Sequence, residues 1–87
     1  MDLDHAKLFF KAGLIERFIF QQAPMDLGWF IMLRQRKGEG FVDETLDTFR
    51  GNTRYFKTLE ALIQVARSIG YKADSFINYT EFDHIDE

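Results

Sequence analysis

The chain has no cysteine and a single proline among its 87 residues. Without cysteine, this sequence can form no disulfide bond, thiolate metal site or thiol nucleophile. Small secreted domains often depend on disulfides, so a reducing cytoplasm is the expected location. No apolar stretch approaches the roughly 20 residues that a membrane-spanning helix needs. The first residues are acidic, where a signal peptide would be basic.

The sequence also lacks the common catalytic patterns. It contains no G-x-S-x-G elbow, no phosphate-binding loop and no H-E-x-x-H helix. Asp43 and Glu44 are adjacent carboxylates, but neighbouring residues of a strand point to opposite faces and cannot converge on one substrate. We therefore expect a protein that is not an enzyme and has no cofactor.

The composition provides ample material for a core, with 46% hydrophobic residues and ten phenylalanines. Each large aromatic side chain can bury about 150–250 Å². The length predicts one domain over residues 1–80, followed by an acidic tail over residues 81–87. The net charge of −3 argues against a dedicated nucleic-acid binder, which is usually basic.

Periodicity predicts a first helix from Asp2 or Asp4 to Ala12, closed by Gly13. Turn residues at 24–28 and 37–40 separate the segments that follow. The predicted strands are Leu14–Ala23, Trp29–Arg36, Val42–Arg50 and Thr53–Phe56.

The run Asp47–Gly70 is the most informative part of the chain. It predicts a short strand, a tight turn at Arg50-Gly51-Asn52, another short strand and a capped helix. Thr58 is the expected N-cap and Gly70 the expected stop. The apolar stripe of the helix comprises Leu59, Leu62, Ile63, Ala66 and Ile69. Tyr71–Tyr79 is predicted as a last edge strand.

These elements predict an α+β fold of two layers. It consists of an antiparallel three- to four-stranded meander, an N-terminal helix and a second helix packed on the sheet. The first two strands carry apolar residues on both faces, whereas a sheet with one wet face should alternate more cleanly. Either the first helix or another subunit must cover the second face, so we expect a protein partner, with a homodimer as one form.

The element T-x-R-G-x-x-R-x-F-K-T-L-E-A, from Thr48 to Ala61, resembles small plasmid-borne proteins of the partition-associated or plasmid-maintenance kind. Ala12-Gly13-Leu14 and Gly28-Trp29 also match that pattern. The resemblance implies a mobile-element context and an accessory role, and it carries no catalytic residues across.

The candidate binding residues form a basic cluster with aromatic neighbours. Such a surface suits phosphate backbones or single strands. Acidic residues in the same stretch favour the alternative of an ordinary ion-paired sheet surface. Arg50 and Arg54 could also tie their turn to Asp47 or Glu60. The cluster comprises Arg34, Arg36, Lys37, Arg50, Arg54 and Lys57, with Tyr55 and Phe49 as stacking surfaces.

Two further sets of residues have a functional and a simpler interpretation. His5, Asp2, Asp83 and His84 could bind a metal if the chain ends met, but solvated surface residues are the simpler reading. The acidic tail, with Phe82 and Ile85 among its carboxylates, could dock on a basic partner. A solvated terminus is the alternative.

The sequence thus predicts a non-enzymatic accessory protein of a mobile element that acts by protein binding. That role covers plasmid maintenance or partition, and also inhibition of a host or competitor machine through mimicry of nucleic-acid charge. The alternative is a nucleic-acid-binding regulator that uses the basic strand–turn surface. A membrane is not an expected partner.

Overall fold

A computed structural model describes residues 1–72. It confirms the predicted α+β class, with a helix, three antiparallel strands and a second helix in chain order. Neither helix of this described part is long and apolar enough to cross a membrane. The elements are α1 (Leu3–Lys11), β1 (Ile15–Gln22), β2 (Trp29–Lys37), β3 (Gly40–Thr45) and α2 (Leu59–Ile69).

Both helices begin at side chains that satisfy free backbone N–H groups, as predicted. The Asp2 carboxylate accepts a hydrogen bond from the His5 N–H at 2.9 Å. The Thr58 hydroxyl accepts one from the Ala61 N–H at 3.1 Å. The helix boundaries therefore follow directly from local sequence.

Gly70 ends α2 and also permits the two helices to approach. Its φ of +147° is rarely adopted by other residues. A Cβ at this position would overlap the ring of Phe10. That ring in turn lies 6.0 Å from the ring of Phe18, centroid to centroid. The helix stop therefore brings α1, α2 and β1 together.

The sheet is a simple meander in the order β1-β2-β3. The β1–β2 connection contains a tight turn in which the Leu27 N–H donates to the Pro24 carbonyl at 3.2 Å. Its central residues, Met25 and Asp26, have φ values of 59° and 58°. Asn-Gly pairs usually occupy such turns, because left-handed conformations are costly for residues with long side chains.

The core lies between one face of the sheet and the two helices. We call this the inner face. Phe18 and Phe20 of β1 lie opposite Leu33 and Ile31 of β2, and all four are buried. The second helix covers this face, as predicted from its apolar stripe. The helical residues buried in the core are Ala6, Leu62, Ala66 and Ile69.

The third strand ends earlier than predicted. The expected strand Val42–Arg50 is observed only over Gly40–Thr45. The chain then leaves the ladder because Asp47 is held by the first residue. The Asp47 N–H donates to the Met1 carbonyl at 2.7 Å, and its carboxylate binds the Met1 amine at 2.8 Å.

The fourth strand predicted over Thr53–Phe56 is not formed as a strand. This segment makes two isolated bridges, Asp47 to Thr53 and Trp29 to Phe56. The predicted tight turn at Arg50-Gly51-Asn52 is confirmed between Asp47 and Thr53. There the Thr48 N–H donates to the Asn52 carbonyl at 2.7 Å. The rest of the predicted strand Tyr71–Tyr79 beyond Lys72, and the acidic tail, lie outside the described residues.

Candidate functional site

The face of the sheet that points away from both helices is the candidate site. We call it the outer face. Alternation along each strand and the observed register assign its residues. Within residues 1–72, no helix lies over it. The outer face comprises Arg17, Ile19 and Gln21 of β1; Phe30, Met32, Arg34 and Arg36 of β2; and Phe41, Asp43 and Thr45 of β3.

The outer face carries large apolar side chains near both of its ends. Phe41 of β3 is 54% exposed. Tyr55, from the segment after β3, is 44% exposed and packs edge-on against Phe30 with ring centroids 6.2 Å apart. Met32, at the centre of the face, is half-buried. Phe41 and Tyr55 are therefore the exposed aromatic side chains of this face that a partner could contact.

Between these apolar groups the outer face is ion-paired. Arg34 binds both carboxylate oxygens of Asp43, through Nε at 2.8 Å and Nη2 at 3.0 Å. This paired hydrogen bond holds the pKa of Asp43 below its usual value. Arg36 contacts Glu16 at 3.2 Å. The bulge in β1 between Ile15 and Arg17 includes Glu16.

The predicted basic residues do not form one cluster. Arg34, Arg36 and Lys37 lie on the second half of β2. Tyr55 and Lys57 flank Phe56, which pairs with Trp29 at the beginning of the same strand. Trp29 and Lys37 are eight residue steps apart along the strand, a distance of roughly 26 Å.

The two arginines of the 48–54 turn also lie apart from the second half of β2. Arg50 is exposed, and the Arg54 guanidinium lies over the Phe56 ring at 5.4 Å from its centroid. Asp47, the expected partner of an arginine here, instead binds the Met1 amine. Among the predicted binding residues, Arg34 and Arg36 form ion pairs with Asp43 and Glu16. For these two arginines the alternative of an ordinary ion-paired surface fits the structure.

Arg54 lines an open hollow of about 240 Å³. Small-molecule sites are typically about 300–1,000 Å³. The hollow is therefore small for a substrate pocket. Its other lining residues are Asp2, Leu3, Asp47, Thr48 and Phe49.

His5, the histidine within residues 1–72, lies in the first turn of α1. Its Nδ1 lies 2.8 Å from an Asp2 oxygen, and hydrogen bonds from the His5 backbone and ring are the main reason why the pKa of Asp2 is lowered. Residues 1–72 contain no group of three or more potential metal ligands. Asp83 and His84 lie outside the described residues.

Sequence reasoning missed Phe41 as a candidate binding residue because the predicted third strand began at Val42, two residues after the observed start at Gly40. The signal was present, since Phe41, Asp43 and Thr45 alternate with the residues between them. It also missed the contact of Glu16 with Arg36, because a bulge cannot be placed from sequence alone.

Comparison with family models, curated proteins and solved structures finds no match to this chain.

Proposed function

We propose that this protein acts by binding another protein through the outer face of its sheet. The observation that carries the proposal is the pair of exposed aromatic residues, Phe41 and Tyr55, on a face that neither helix covers. Burial of such rings contributes strongly to association, and aromatic residues are enriched at the centres of protein interfaces.

A binding role fits the described chemistry better than a catalytic one. The Asp43 carboxylate is occupied by Arg34, and Asp47 by the Met1 amine. These pairs fix the shape and charge of the surface, which favours recognition of a complementary surface.

The first partner to test is a second copy of the chain. A two-fold contact needs only one self-complementary patch, and dimers of this kind are the commonest oligomers. The mobile-element context remains part of the proposal and is supported by the resemblance of Thr48–Ala61 alone. Plasmid maintenance, partition and inhibition of another machine are the processes it suggests.

The test is sedimentation velocity at micromolar concentration, with the variant Phe41→Ser. Loss of this exposed aromatic side chain should weaken self-association by about tenfold or more. The control is Leu8→Ser, which removes a 63% exposed apolar side chain on α1, away from the outer face. It should leave self-association unchanged.

A wild-type chain that stays monomeric up to about 100 μM would rule out the second copy as the partner. Equal weakening by both variants would mean that the outer face is not the contact.

A nucleic-acid-binding role is the second candidate. Its support is the exposed Arg50 in the 48–54 turn, with the exposed aromatic side chain of Phe49 beside it in sequence. This role predicts binding of labelled single-stranded DNA that weakens steeply as salt rises. Arg50→Ala or Arg54→Ala should then reduce affinity for all sequences. No binding at low salt would dismiss it.

A further inference from the structure

The two edges of the sheet differ in how well they are protected against pairing with another strand. Within residues 1–72, β1 and β3 each have a neighbouring strand on one side only. β1 carries a bulge between Ile15 and Arg17, and three consecutive residues of it are buried. β3 has a continuous register with β2, contains no proline or lysine, and is exposed over its first four residues. Since bulges, prolines and lysines are common protections of an edge, β3 is the less protected one.

The hydrogen-bond pattern shows which backbone groups of β3 point away from β2. Alternate residues of an antiparallel strand direct their N–H and C=O groups to opposite sides. The Leu46 N–H donates to the Ile31 carbonyl at 2.8 Å, so the even-numbered residues of β3 bond to β2. Arg36, directly opposite Phe41, instead donates its N–H to the Leu14 carbonyl beside β1, at 2.9 Å. The backbone groups that point away from β2 therefore belong to Phe41, Asp43 and Thr45.

The first residue of the chain occupies one end of this edge. The Met1 amine donates to the Thr45 carbonyl at 3.3 Å, and the Met1 carbonyl accepts the Asp47 N–H at 2.7 Å. Within residues 1–72, no backbone hydrogen bond fills the outward N–H and C=O groups of Phe41 and Asp43. Both residues are exposed. We call these two donors and two acceptors the open ladder.

The open ladder is complementary to a second copy of itself. Antiparallel pairing about a two-fold axis at Val42 places Phe41 opposite Asp43 of the second copy, and Asp43 opposite its Phe41. Each donor of one open ladder then meets an acceptor of the other. The two Val42 side chains face each other, and Gly40 lies opposite Glu44 of the second copy. This register opposes no like charges.

The neighbouring registers fill fewer of these groups. Opposed side chains must share a face of the sheet, so the axis can only move to an adjacent residue. An axis at Phe41 opposes Asp43 to Glu39, which lies outside β3. An axis at Asp43 opposes Phe41 to Thr45, whose carbonyl accepts the Met1 amine. Both shifts also place acidic side chains opposite each other, which is unfavourable.

We propose that a second copy of the chain adds its β3 to β3 of the first, antiparallel about a two-fold axis at Val42. Two sheets of three strands then form one continuous sheet of six. Recognition by addition of a strand to an open edge is a common mode of protein binding. The inference rests on the proposed function for its choice of partner, and it names the edge through which the second copy binds. Phe41 of each copy lies where the two outer faces join.

The first test is amide hydrogen exchange of the wild-type chain at two protein concentrations, about 5 and about 200 μM. Exchange of the Phe41 and Asp43 amides should slow by about threefold or more at the higher concentration, because their N–H groups become hydrogen-bonded in the dimer. The Val42 and Glu44 amides bond to β2 and should exchange slowly at both. Phe41 and Asp43 amides that exchange equally fast at both concentrations, in a chain that self-associates, would overturn the pairing.

The second test is a charge exchange at Val42, followed by sedimentation velocity. Val42 is 37% exposed and points away from the outer face, so the folded chain can accept a charge there. Val42→Lys and Val42→Glu should each weaken self-association by about tenfold or more, because like charges then face each other at the axis. An equimolar mixture of the two variants should associate again, to within about threefold of the wild type.

The matched control is Leu8→Lys, which places the same charge on an exposed position of α1. It should leave self-association unchanged. If it weakened self-association as much as Val42→Lys, net charge would be the cause and the pairing would be overturned. Failure of the mixed Val42 variants to associate would overturn it as well.

The outcomes separate this inference from the proposed function. Self-association that is lost in Phe41→Ser but unchanged in Val42→Lys would support binding through the outer face and overturn the edge pairing. A wild-type chain that stays monomeric would also overturn the edge pairing, and it would leave the outer face as a surface for a different protein. Loss in Val42→Lys with recovery in the mixture would support the edge pairing.

Discussion

Gly28 lies where the β1–β2 turn meets the backbone of Phe56, and this contact leaves no room for a side chain. Its φ is +98°, and a Cβ would overlap the Phe56 carbonyl oxygen and lie 2.9 Å from the carbonyl carbon. Two backbone hydrogen bonds join Trp29 to Phe56 next to it. We predict that Gly28→Ala lowers the free energy of unfolding by about 3 kcal/mol or more, measured by urea denaturation.

Gly38→Ala provides the matched control. Gly38 also has a positive φ, +61°, but a Cβ there would meet nothing within 4 Å. Its substitution should cost only the conformational penalty, about 1–2 kcal/mol. Equal losses in the two variants would show that the contact with Phe56 contributes nothing.

The ion pair between Arg34 and Asp43 makes stability depend on acid pH. The hydrogen bond from Arg34 lowers the pKa of Asp43 in the folded protein. A carboxyl with a lower pKa in the folded state stabilises the fold above its unfolded pKa of about 3.9. That stability is lost as pH falls below about 4 through the folded pKa. We predict that Asp43→Asn loses less stability than the wild type between pH 5 and pH 2.

Thermal unfolding across this pH range measures the effect. Asp2, whose pKa is lowered mainly by the backbone hydrogen bond from His5, loses its contribution in the same window and remains in both proteins. The control Asp26→Asn removes a carboxylate from the β1–β2 turn. If it flattened the pH dependence as much as Asp43→Asn, the ion pair would not be the cause.

At the scale of single residues, sequence reasoning found contacts between regular elements and missed those made by irregular ones. Pairing of basic residues on β2 with acids such as Asp43 was expected, because hairpin strands bring such residues opposite each other. The partner of Asp47 was not expected, because it is the N-terminal amino group of Met1. No side-chain pattern indicates that interaction.

Among the elements, α2 depends on a cap that can be tested alone. The Thr58 hydroxyl accepts the Ala61 N–H at the helix start. Thr58→Ala should lower the free energy of unfolding by about 1 kcal/mol. Ser68→Ala, within the same helix, should be neutral or slightly stabilising, because alanine favours helix interiors. Chemical denaturation that gave both variants the same loss would contradict a capping role.

The helices could be predicted to within a few residues because their signals are local. A cap, an apolar stripe and a closing glycine all lie within α2 and its flanks. The end of β3 could not be predicted in this way. Its sequence remains compatible with a strand as far as Arg50, but the chain after Thr45 is held by long-range contacts of Asp47 with Met1 and by the turn that begins at Thr48.

At the scale of the whole molecule, the sequence indicated that both faces of the sheet were apolar but not which part stays exposed. That property depends on where two helices pack, and both lie on the inner face. The predicted basic cluster is dispersed because of the length of β2. Its residues are close in sequence, but β2 holds part of them at one end and the segment around Phe56 lies at the other.

The order of the strands has a consequence for synthesis on the ribosome. Both hairpins are complete once Thr45 has emerged, but Leu62, Ala66 and Ile69, which cover the inner face, are made last among the core residues of the helices. A nascent chain therefore exposes Phe18, Phe20 and their neighbours to water until almost the whole domain has left the exit tunnel. The inner face of the sheet therefore becomes covered only after α2 has been released.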